Sequence, residues 1–234
     1  MAVRSPSAPA PSGPVADRPR VAVRVAPAPP ISIDPLPKRA FDVALALPML
    51  LVSAPAWLAI ATAIKLDDGG PVFYLQERWG RGQSRFQVLK FRTMVVHSDR
   101  DFGVRQATSG DHRITRVGRL LRATGLDELP QVLNILMGDM SFVGPRALST
   151  TERAADGTPI RYDETRGFAH RLQVRPGLTG LATIYLPKDA PSPLKFRVDQ
   201  LYVSRLSLWL DLRLVALSFW ISFRGKWETR SRKV

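Results

Sequence analysis

Residues 41–64 read FDVALALPMLLVSAPAWLAIATAI, an apolar stretch in which Asp42 is the only charged side chain. As an unbroken helix it would be about 36 Å long, because each residue adds about 1.5 Å, and that length crosses the apolar core of a bilayer. Pro48 and Pro55 lie inside it, and each removes a backbone donor and favours a kink. The stretch therefore predicts a membrane helix, either a span or a re-entrant hairpin that returns to the face it entered. A buried helix of a soluble core is the remaining alternative.

The segment before this stretch has a different composition. Residues 1–37 contain ten of the chain's 20 prolines, interleaved with alanine and arginine. Such a segment lacks the large apolar side chains that build a core, so we expect a disordered or polyproline-like tail. No apolar run lies near its start, and we therefore do not expect a secretory signal. A short basic tail is expected at the other end, over residues 228–234.

The charge balance restricts the partners of this protein. The chain carries 34 Lys and Arg residues against 20 Asp and Glu residues, a formal net charge of +14. Such an excess implies an anionic partner, and nucleic acid, an anionic membrane surface and a phosphate-rich substrate all fit. The sequence has no cysteine, which excludes disulfides, zinc–thiolate sites and thiol nucleophiles. The three histidines, His97, His112 and His170, are scattered and do not suggest a metal site.

Short strands and helices are predicted beyond the apolar stretch. Residues 69–74 and 86–92 have the pattern of two strands, and the glycine- and arginine-rich residues 77–82 predict the turn of a β-hairpin between them. Residues 114–122 predict a helix whose arginines, three residues apart, are neighbours on its surface.

A second apolar segment covers residues 201–223 and places its polar side chains within a narrow arc of a helix. Trp209 and Trp220 add aromatic surface to it. A helix with so wide an apolar face either lies in a membrane interface or packs in a core. Asp211 and Arg213 argue against a span, and the choice between interface and core stays open.

Two adjacent carboxylates stand in the sequence LDELPQ, residues 126–131. Because proline is tolerated only in the first turn of a helix, Pro130 predicts that Asp127 and Glu128 lie at or just before a helix N-terminus. Carboxylates among arginines suit chemistry on phosphate, in which one group attacks or holds a metal while cations offset charge. The simpler interpretation is structural: Asp127 is the N-cap of the helix and Glu128 is an acidic residue of its first turn. Five arginines flank the pair: Arg113, Arg116, Arg119, Arg122 and Arg146.

Nine motifs follow one another in order along the chain: KRAFD (38–42), GPVFY (70–74), QER (76–78), KFRTM (90–94), RITRVG (113–118), LDELPQ (126–131), GDMSFVGPR (138–146), RPGLTG (175–180) and LWLD (208–211). Together they closely resemble the bacterial sugar transferase family, the monotopic polyprenol-phosphate phosphoglycosyl transferases. The resemblance covers residues 36–227 and has the extent of the minimal catalytic form.

The resemblance implies an enzyme that moves a sugar phosphate from a UDP-sugar to polyprenol (undecaprenyl) phosphate, with UMP as the second product and Mg²⁺ as the cofactor. It implies a place on the cytoplasmic face of the bacterial inner membrane, in contact with its lipids, and no nucleic acid partner. The implied role is the first membrane step of exopolysaccharide, capsule or O-antigen synthesis. A homo-oligomer is one candidate for the oligomeric state.

The resemblance also implies roles for individual residues. Asp127 would be the nucleophile that becomes a phosphosugar-aspartyl ester, and Glu128 its partner in metal or proton handling, so that both are candidate Mg²⁺ ligands. Pro55 would mark the break of a re-entrant helix. The candidates for binding substrate phosphate are Arg146, Lys90, Arg92 and Arg122.

The implied fold class is α+β, mainly helical with a small β-hairpin. It includes a re-entrant membrane helix over residues 38–66 and a cytoplasmic catalytic domain with interfacial amphipathic helices over residues 67–227.

The chain departs from the family pattern at two positions. A serine is common before Pro55, where this chain has Ala54, and a proline is common after Arg146, where it has Ala147. Two rival interpretations remain, a basic nucleic-acid-binding protein and an inactive membrane scaffold for polysaccharide assembly.

Overall fold

The computed structural model describes residues 35–108, 110–154, 156–187 and 190–224. The two predicted tails lie outside these residues, apart from the last three positions of the first tail. Leu36 and Pro37 belong to the first helix, and proline is favoured in a first helical turn because the N–H it lacks would have no partner there.

The predicted fold class is confirmed, since helices dominate the described chain and four short strands form two small sheets. The elements in chain order are α1 (Leu36–Asp68), β1 (Phe73–Trp79), β2 (Arg85–Phe91), α2 (Ser98–Phe102), α3 (Arg116–Thr124), α4 (Gln131–Met137), β3 (Ser141–Val143), α5 (Phe168–Arg171), β4 (Gly177–Thr179), α6 (Leu181–Tyr185), α7 (Ser192–Ser204) and α8 (Leu208–Phe223).

Helix α1 contains the whole predicted apolar stretch and is long and apolar enough to cross a membrane. Pro48 and Pro55 lie within one continuous helix. Ser53 lies near the second proline, where its Oγ donates to the Leu50 carbonyl at 3.3 Å and accepts from Trp57 Nε1 at 3.1 Å. The serine that precedes the proline by two residues therefore still binds a backbone carbonyl of the same turn.

The buried side chains of α1 lie near its two ends, whereas its middle is exposed. The buried set is Lys38, Asp42, Ala46, Ile60 and Ile64. The exposed set between them includes Leu47, Leu51, Val52 and Leu58. Both ends of the helix therefore pack tightly on the globular domain, whereas its apolar middle is largely exposed.

A buried ion pair fixes the start of α1. Lys38 Nζ lies 2.6 Å from Asp211 Oδ2 of α8, and the two side chains are 1% and 0% exposed. The same ammonium donates to the Val143 carbonyl at 2.9 Å and to the Tyr202 hydroxyl at 3.2 Å, and Tyr202 in turn donates to Asp211 Oδ1 at 2.8 Å. One fully buried ion pair therefore joins α1, α7, α8 and β3.

One turn later, a second buried polar contact joins α1 to β3. Asp42 Oδ1 accepts from the Ser141 hydroxyl and from the Phe142 backbone N–H, both at 3.0 Å. The other end of α1 is held by Asp68, which pairs with the Arg92 guanidinium beyond β2. Motif KRAFD therefore serves to attach the helix to the domain.

The predicted hairpin is confirmed as an antiparallel pair of β1 and β2, with Phe73 opposite Phe91 and Trp79 opposite Arg85. The first strand begins later than predicted, because Gly69 adopts the left-handed conformation (φ 72°) and ends α1, a role that glycine fills without strain. The ring of Trp57 lies 5.5 Å from that of Phe91, which packs the long helix against this sheet.

The second apolar segment is not the single helix that its sequence pattern suggested. It divides between α7 and α8, because Ser207 accepts a hydrogen bond from the Leu210 N–H and caps a new helix. One side of α8 packs in the core through Asp211, Leu214, Val215 and Ile221. The opposite side exposes Trp209, Leu212, Trp220 and Phe223, so the helix has both a core face and an open apolar face.

We predict that Lys38→Met lowers the free energy of unfolding by about 3–5 kcal/mol, because it leaves the buried Asp211 carboxylate without its cation. Thermal unfolding of the detergent-solubilised protein measures this loss. The double variant Lys38→Met/Asp211→Leu should recover part of it, since no buried charge then remains. Lys65→Met, at an exposed lysine of the same helix, is the control. A loss no larger than that of the control would show that the pair does not hold the helix.

Candidate active site

The two acidic residues lie where the sequence predicted, in a tight turn directly before Pro130 and helix α4. Helix α3 ends at Gly125, whose left-handed conformation (φ 76°) reverses the chain. A short 3₁₀ turn, Leu126–Glu128, follows. The adjacent positions of Asp127 and Glu128 on this turn give their side chains different surroundings.

Glu128 is held between two cations from separate parts of the chain. Its Oε1 lies 2.6 Å from Lys90 Nζ of β2 and 3.0 Å from an Arg146 guanidinium nitrogen beyond β3. Burial opposes ionisation of this carboxyl, but the attraction of Lys90 and Arg146 outweighs that effect and lowers its pKa. Glu128 is therefore a fixed anion over the whole physiological range.

Asp127 has the opposite character. Its carboxylate accepts no hydrogen bond from the part of the chain that the structure describes, although it lines the same cavity. Burial raises its pKa to about 6 and the negative charge of Glu128 adds to this rise, while Lys90, Arg122 and Arg146 oppose it. An ionised carboxylate without a protein partner is suited to bind a cation or to act as a nucleophile.

The two acids open into a cavity of about 810 Å³, near the upper end of the range for small-molecule pockets. Basic side chains dominate the wall around the acids: Arg78, Lys90, Arg122 and Arg146. The cavity is therefore large enough for a nucleotide-linked ligand and carries the charge that a diphosphate requires.

The backbone that carries Arg146 is fixed by close glycine contacts. Strands β3 and β4 run parallel, and a Cβ on Gly177 would lie 2.1 Å from the Gly144 nitrogen, while a Cβ on Gly144 would lie 2.4 Å from the Arg175 carbonyl oxygen. No side chain fits there, so motifs GDMSFVGPR and RPGLTG are two backbones in direct contact. Their packing sets the position of Arg146.

Two arginines hold the same segment from the outside, one buried (Arg171) and one partly buried (Arg78). Arg171 donates to the Arg146 carbonyl at 2.6 Å, and Arg78 donates to the Ala147 carbonyl at 3.0 Å. Sequence reasoning placed Arg78 in a motif without assigning it to the site, and nothing in the sequence pattern around Arg171 pointed to it.

The remaining predicted basic residues differ in their surroundings. Arg122 lines the cavity and acts on Asp127 through its charge. Arg92 also lines the cavity, but all three of its nitrogens bind protein acceptors: Asp68, the Pro71 carbonyl and the Met94 carbonyl. Its assignment as a phosphate ligand stays a prediction.

The chemistry of the acid pair fits a substrate-borne magnesium ion. Mg²⁺ prefers oxygen ligands and is usually bound by one or two carboxylates together with substrate phosphates and water. Asp127 and Glu128 provide that number, and within the described ranges no cluster of three or more acidic or histidine side chains forms a complete metal cage. The metal assignment itself remains a prediction.

We predict that Asp127→Asn stabilises the protein at neutral pH and that this gain disappears in acid. In the folded protein the pKa of Asp127 is about 6, above the ordinary aspartate value of 3.8. The wild type therefore loses stability as the pH rises through this interval, and the amide variant does not. Melting temperatures of both proteins from pH 4 to pH 8 measure the difference.

The matched control is Asp156→Asn, because a hydrogen bond from the Thr158 hydroxyl and then one from its N–H lower the pKa of Asp156. Its carboxylate stabilises the fold at neutral pH, so its amide variant should show no gain there. A gain for Asp127→Asn that is equal at pH 4 and pH 8 would contradict the raised pKa.

Comparison with known proteins identifies the family. The family profile described as bacterial sugar transferase matches residues 33–225. The chain is 43% identical to the exopolysaccharide production protein PSS of Rhizobium leguminosarum bv. phaseoli over 76% of this chain and 90% of that protein. It is also 43% identical to a UDP-glucose:undecaprenyl-phosphate glucose-1-phosphate transferase of Caulobacter vibrioides, over 81% of this chain and 70% of that protein. An Escherichia coli K12 protein of the same description is 39% identical and matches over 83% of this chain but 42% of its own length. The profile match includes every element from α1 to α8, and together with these relatives it shows that the chain belongs to the bacterial sugar transferase family.

Proposed function

We propose that this protein transfers a sugar 1-phosphate from a UDP-sugar to undecaprenyl phosphate, with release of UMP, through a covalent intermediate on Asp127. The observation that carries the proposal is the contrast within the acid pair: Glu128 is bound by two cations, whereas Asp127 faces the same cavity without a hydrogen bond from the described chain. The names of the Caulobacter and Escherichia relatives support the substrate classes.

In the first step, a carboxylate oxygen of Asp127 attacks the β-phosphorus of the UDP-sugar. The bond from that phosphorus to the oxygen bridging the two phosphates breaks, and UMP leaves with the bridging oxygen and its electron pair. The sugar phosphate stays on Asp127 as an acyl phosphate ester. Carboxylates are known to form covalent intermediates of this kind, which divide one difficult displacement into two.

In the second step, a phosphate oxygen of undecaprenyl phosphate attacks the same phosphorus. The bond between phosphorus and Asp127 breaks, which restores the carboxylate and releases undecaprenyl diphosphosugar. Both steps bring an anion to an anionic phosphorus centre, and positioned cations reduce this repulsion. Lys90, Arg122 and Arg146 line the cavity beside the acid pair, and their charges would fill this role in each step.

Asp127 and Glu128 would hold the magnesium ion, which when bound offsets the charge of the diphosphate. Glu128 is suited to this because its second carboxylate oxygen accepts no hydrogen bond from the described chain. The strong pairing of its first oxygen keeps the group ionised and oriented.

We predict that the purified protein in detergent releases UMP when it is given UDP-glucose, Mg²⁺ and undecaprenyl phosphate. Asp127→Asn should lower the rate of this release by at least about 1,000-fold, because the loss of the nucleophile removes the covalent route. Glu128→Gln should lower it strongly as well. The control is Arg119→Gln, an exposed arginine one helical turn before Arg122, which should retain nearly full activity. Intact-protein mass spectrometry after rapid quenching should show a hexose-phosphate adduct on the wild type.

Unchanged UMP release by Asp127→Asn would refute the nucleophile assignment. Absence of release with every UDP-sugar tested would instead favour the inactive scaffold. The nucleic-acid alternative gains no support from the family relationship, and a protein that leaves the membrane entirely on alkaline carbonate extraction would revive it.

We further propose that the protein is a re-entrant protein of the inner membrane whose catalytic domain lies on the cytoplasmic face. The support is that Asp42 and Asp68, near opposite ends of α1, both bind the same globular domain, while the middle of the helix exposes leucine and valine side chains. The exposed apolar face of α8, with Trp209 and Phe223, would lie in the membrane interface, since aromatic side chains favour that depth.

We predict that both ends of α1 are accessible from the cytoplasm only. The exposed residues Leu36 and Leu66, at 85% and 83% exposure, allow the substitutions Leu36→Cys and Leu66→Cys without native cysteines to interfere. An impermeant maleimide should label both in inverted vesicles and neither in intact cells. Val52→Cys, from the exposed middle of the helix, is the control that lipid should shield in both. Labelling of one end from outside the cell would mean that the helix spans.

A further inference from the structure

The cavity beside the acid pair extends to a second group of polar side chains that the transfer chemistry does not use. Glu152, Tyr162 and Arg171 line its wall together with the site residue Arg146. They are 7%, 5% and 1% exposed, so all three are buried by more than nine-tenths. They come from the loop after Arg146, from a 3₁₀ turn and from α5.

Glu152 is an incompletely satisfied buried carboxylate. The Tyr162 hydroxyl donates to its Oε2 at 3.0 Å, whereas its Oε1 is buried and has no partner in the part of the chain that the structure describes. An unpaired buried acceptor costs free energy and is uncommon in native proteins. Terminal torsions of glutamate are soft, so a small rotation turns this oxygen toward the cavity that the side chain lines.

Arg171 provides an unused donor in the same wall. Two of its nitrogens bind Asp199, at 2.9 Å, and the Arg146 carbonyl, at 2.6 Å, while its third nitrogen, an NH1 group, is buried without a partner in the described residues. The charges of Arg78 and Arg146 act favourably on Glu152, which keeps a carboxylate acceptable in this position. The pocket thus combines one free acceptor with one free donor beside the phosphate-binding cations.

This combination selects the kind of group that binds. A phosphate would be repelled by the Glu152 carboxylate, and a cation would be repelled by Arg78, Arg146 and Arg171. A neutral hydroxyl avoids both penalties, because it donates to a carboxylate and accepts from a guanidinium. Hydrogen bonds from a hydroxyl to an ionised acceptor are also among the stronger ones available to a neutral ligand.

We propose that Glu152, supported by Tyr162 and Arg171, binds ring hydroxyls of the UDP-sugar donor and so determines which donors the enzyme accepts. This inference rests on the proposed function. Hydroxyls of this kind occur both on the hexose, which is bonded through its anomeric oxygen to the phosphorus that Asp127 attacks, and on the ribose, which the α-phosphate separates from that phosphorus.

The test combines an isosteric variant with substrates that lack single hydroxyls. The probes are UDP-glucose, its 2-, 3-, 4- and 6-deoxyglucose analogues, and the corresponding 2′-deoxyuridine diphosphate glucose. Release of the nucleoside monophosphate, which is UMP or, for the deoxyribose analogue, dUMP, gives kcat and KM for each protein. The proteins are the wild type, Glu152→Gln and the control Glu164→Gln, an exposed glutamate of the neighbouring 3₁₀ turn.

For UDP-glucose we expect Glu152→Gln to raise KM by roughly 10- to 100-fold with little change in kcat, the range for a hydrogen bond to a charged group. For the wild type, one deoxy analogue should raise KM by a similar factor relative to UDP-glucose. For Glu152→Gln the same analogue should leave KM almost unchanged, because the residue and the hydroxyl act as a pair. A hexose analogue that behaves in this way assigns the pocket to the sugar, and the deoxyribose analogue assigns it to the nucleoside. Should Glu152→Gln fail to fold, Glu152→Asp keeps the charge and displaces it, and the same comparison applies.

The proposal is overturned if Glu152→Gln loses the same factor with every analogue, which would mean a structural role or a bound water only. If the wild type releases no UMP, the proposed function fails, and calorimetric titration of the same nucleotides then decides the inference alone. The inference would hold if Glu152→Gln weakens the binding of UDP-glucose and if the removal of one particular hydroxyl from the ligand weakens binding to that variant no further. A wild type that neither turns over nor binds UDP-glucose would refute both.

Discussion

The ion pair between Lys38 and Asp211 is the constraint on which the rest of the structure depends. Its two charges are almost completely excluded from water, and such a pair is stable only when hydrogen bonds satisfy the remaining donors and acceptors. Tyr202 and the Val143 carbonyl supply them. Because Val143 ends β3 and the chain continues directly to Arg146, the contact that fixes the apolar helix also fixes the strand that carries a cation of the site.

The acid pair shows how one fold gives neighbouring carboxylates different properties. Burial acts on both Asp127 and Glu128, yet the cations contact only Glu128 directly, at 2.6 Å and 3.0 Å. The pKa of Glu128 falls as a result, while that of Asp127 rises to about 6. Two titratable groups whose pKa values are driven apart are a common sign of divided catalytic roles. Under the proposed mechanism, Glu128 is the permanent anion and Asp127 is the group whose charge is consumed and restored.

Local sequence signals predicted the elements whose causes are local. Pro130 marked the start of α4, the apolar run marked α1, and two short strand-like segments around a glycine- and arginine-rich turn marked the hairpin. The break before α8 depends on one cap, Ser207, which competes with an apolar pattern that continues on both sides. Long-range partners left no local signal: motif KFRTM contains Arg92, but nothing in that motif shows that Arg92 pairs with Asp68 at the end of α1.

The same reasoning explains why the sequence located the acid pair of the site but did not identify all the side chains that line the cavity. Asp127 and Glu128 are conspicuous because two acids precede a proline, whereas Glu152 and Arg171 are single charges in ordinary loop and helix sequence whose burial is decided by tertiary packing. Under the proposed function, one cation cluster serves both half-reactions, because each substrate presents a phosphate to the same aspartate. Discrimination among donors must then come from groups that do not touch phosphate. The unpaired oxygen of Glu152, a side chain that lines the cavity, meets that requirement.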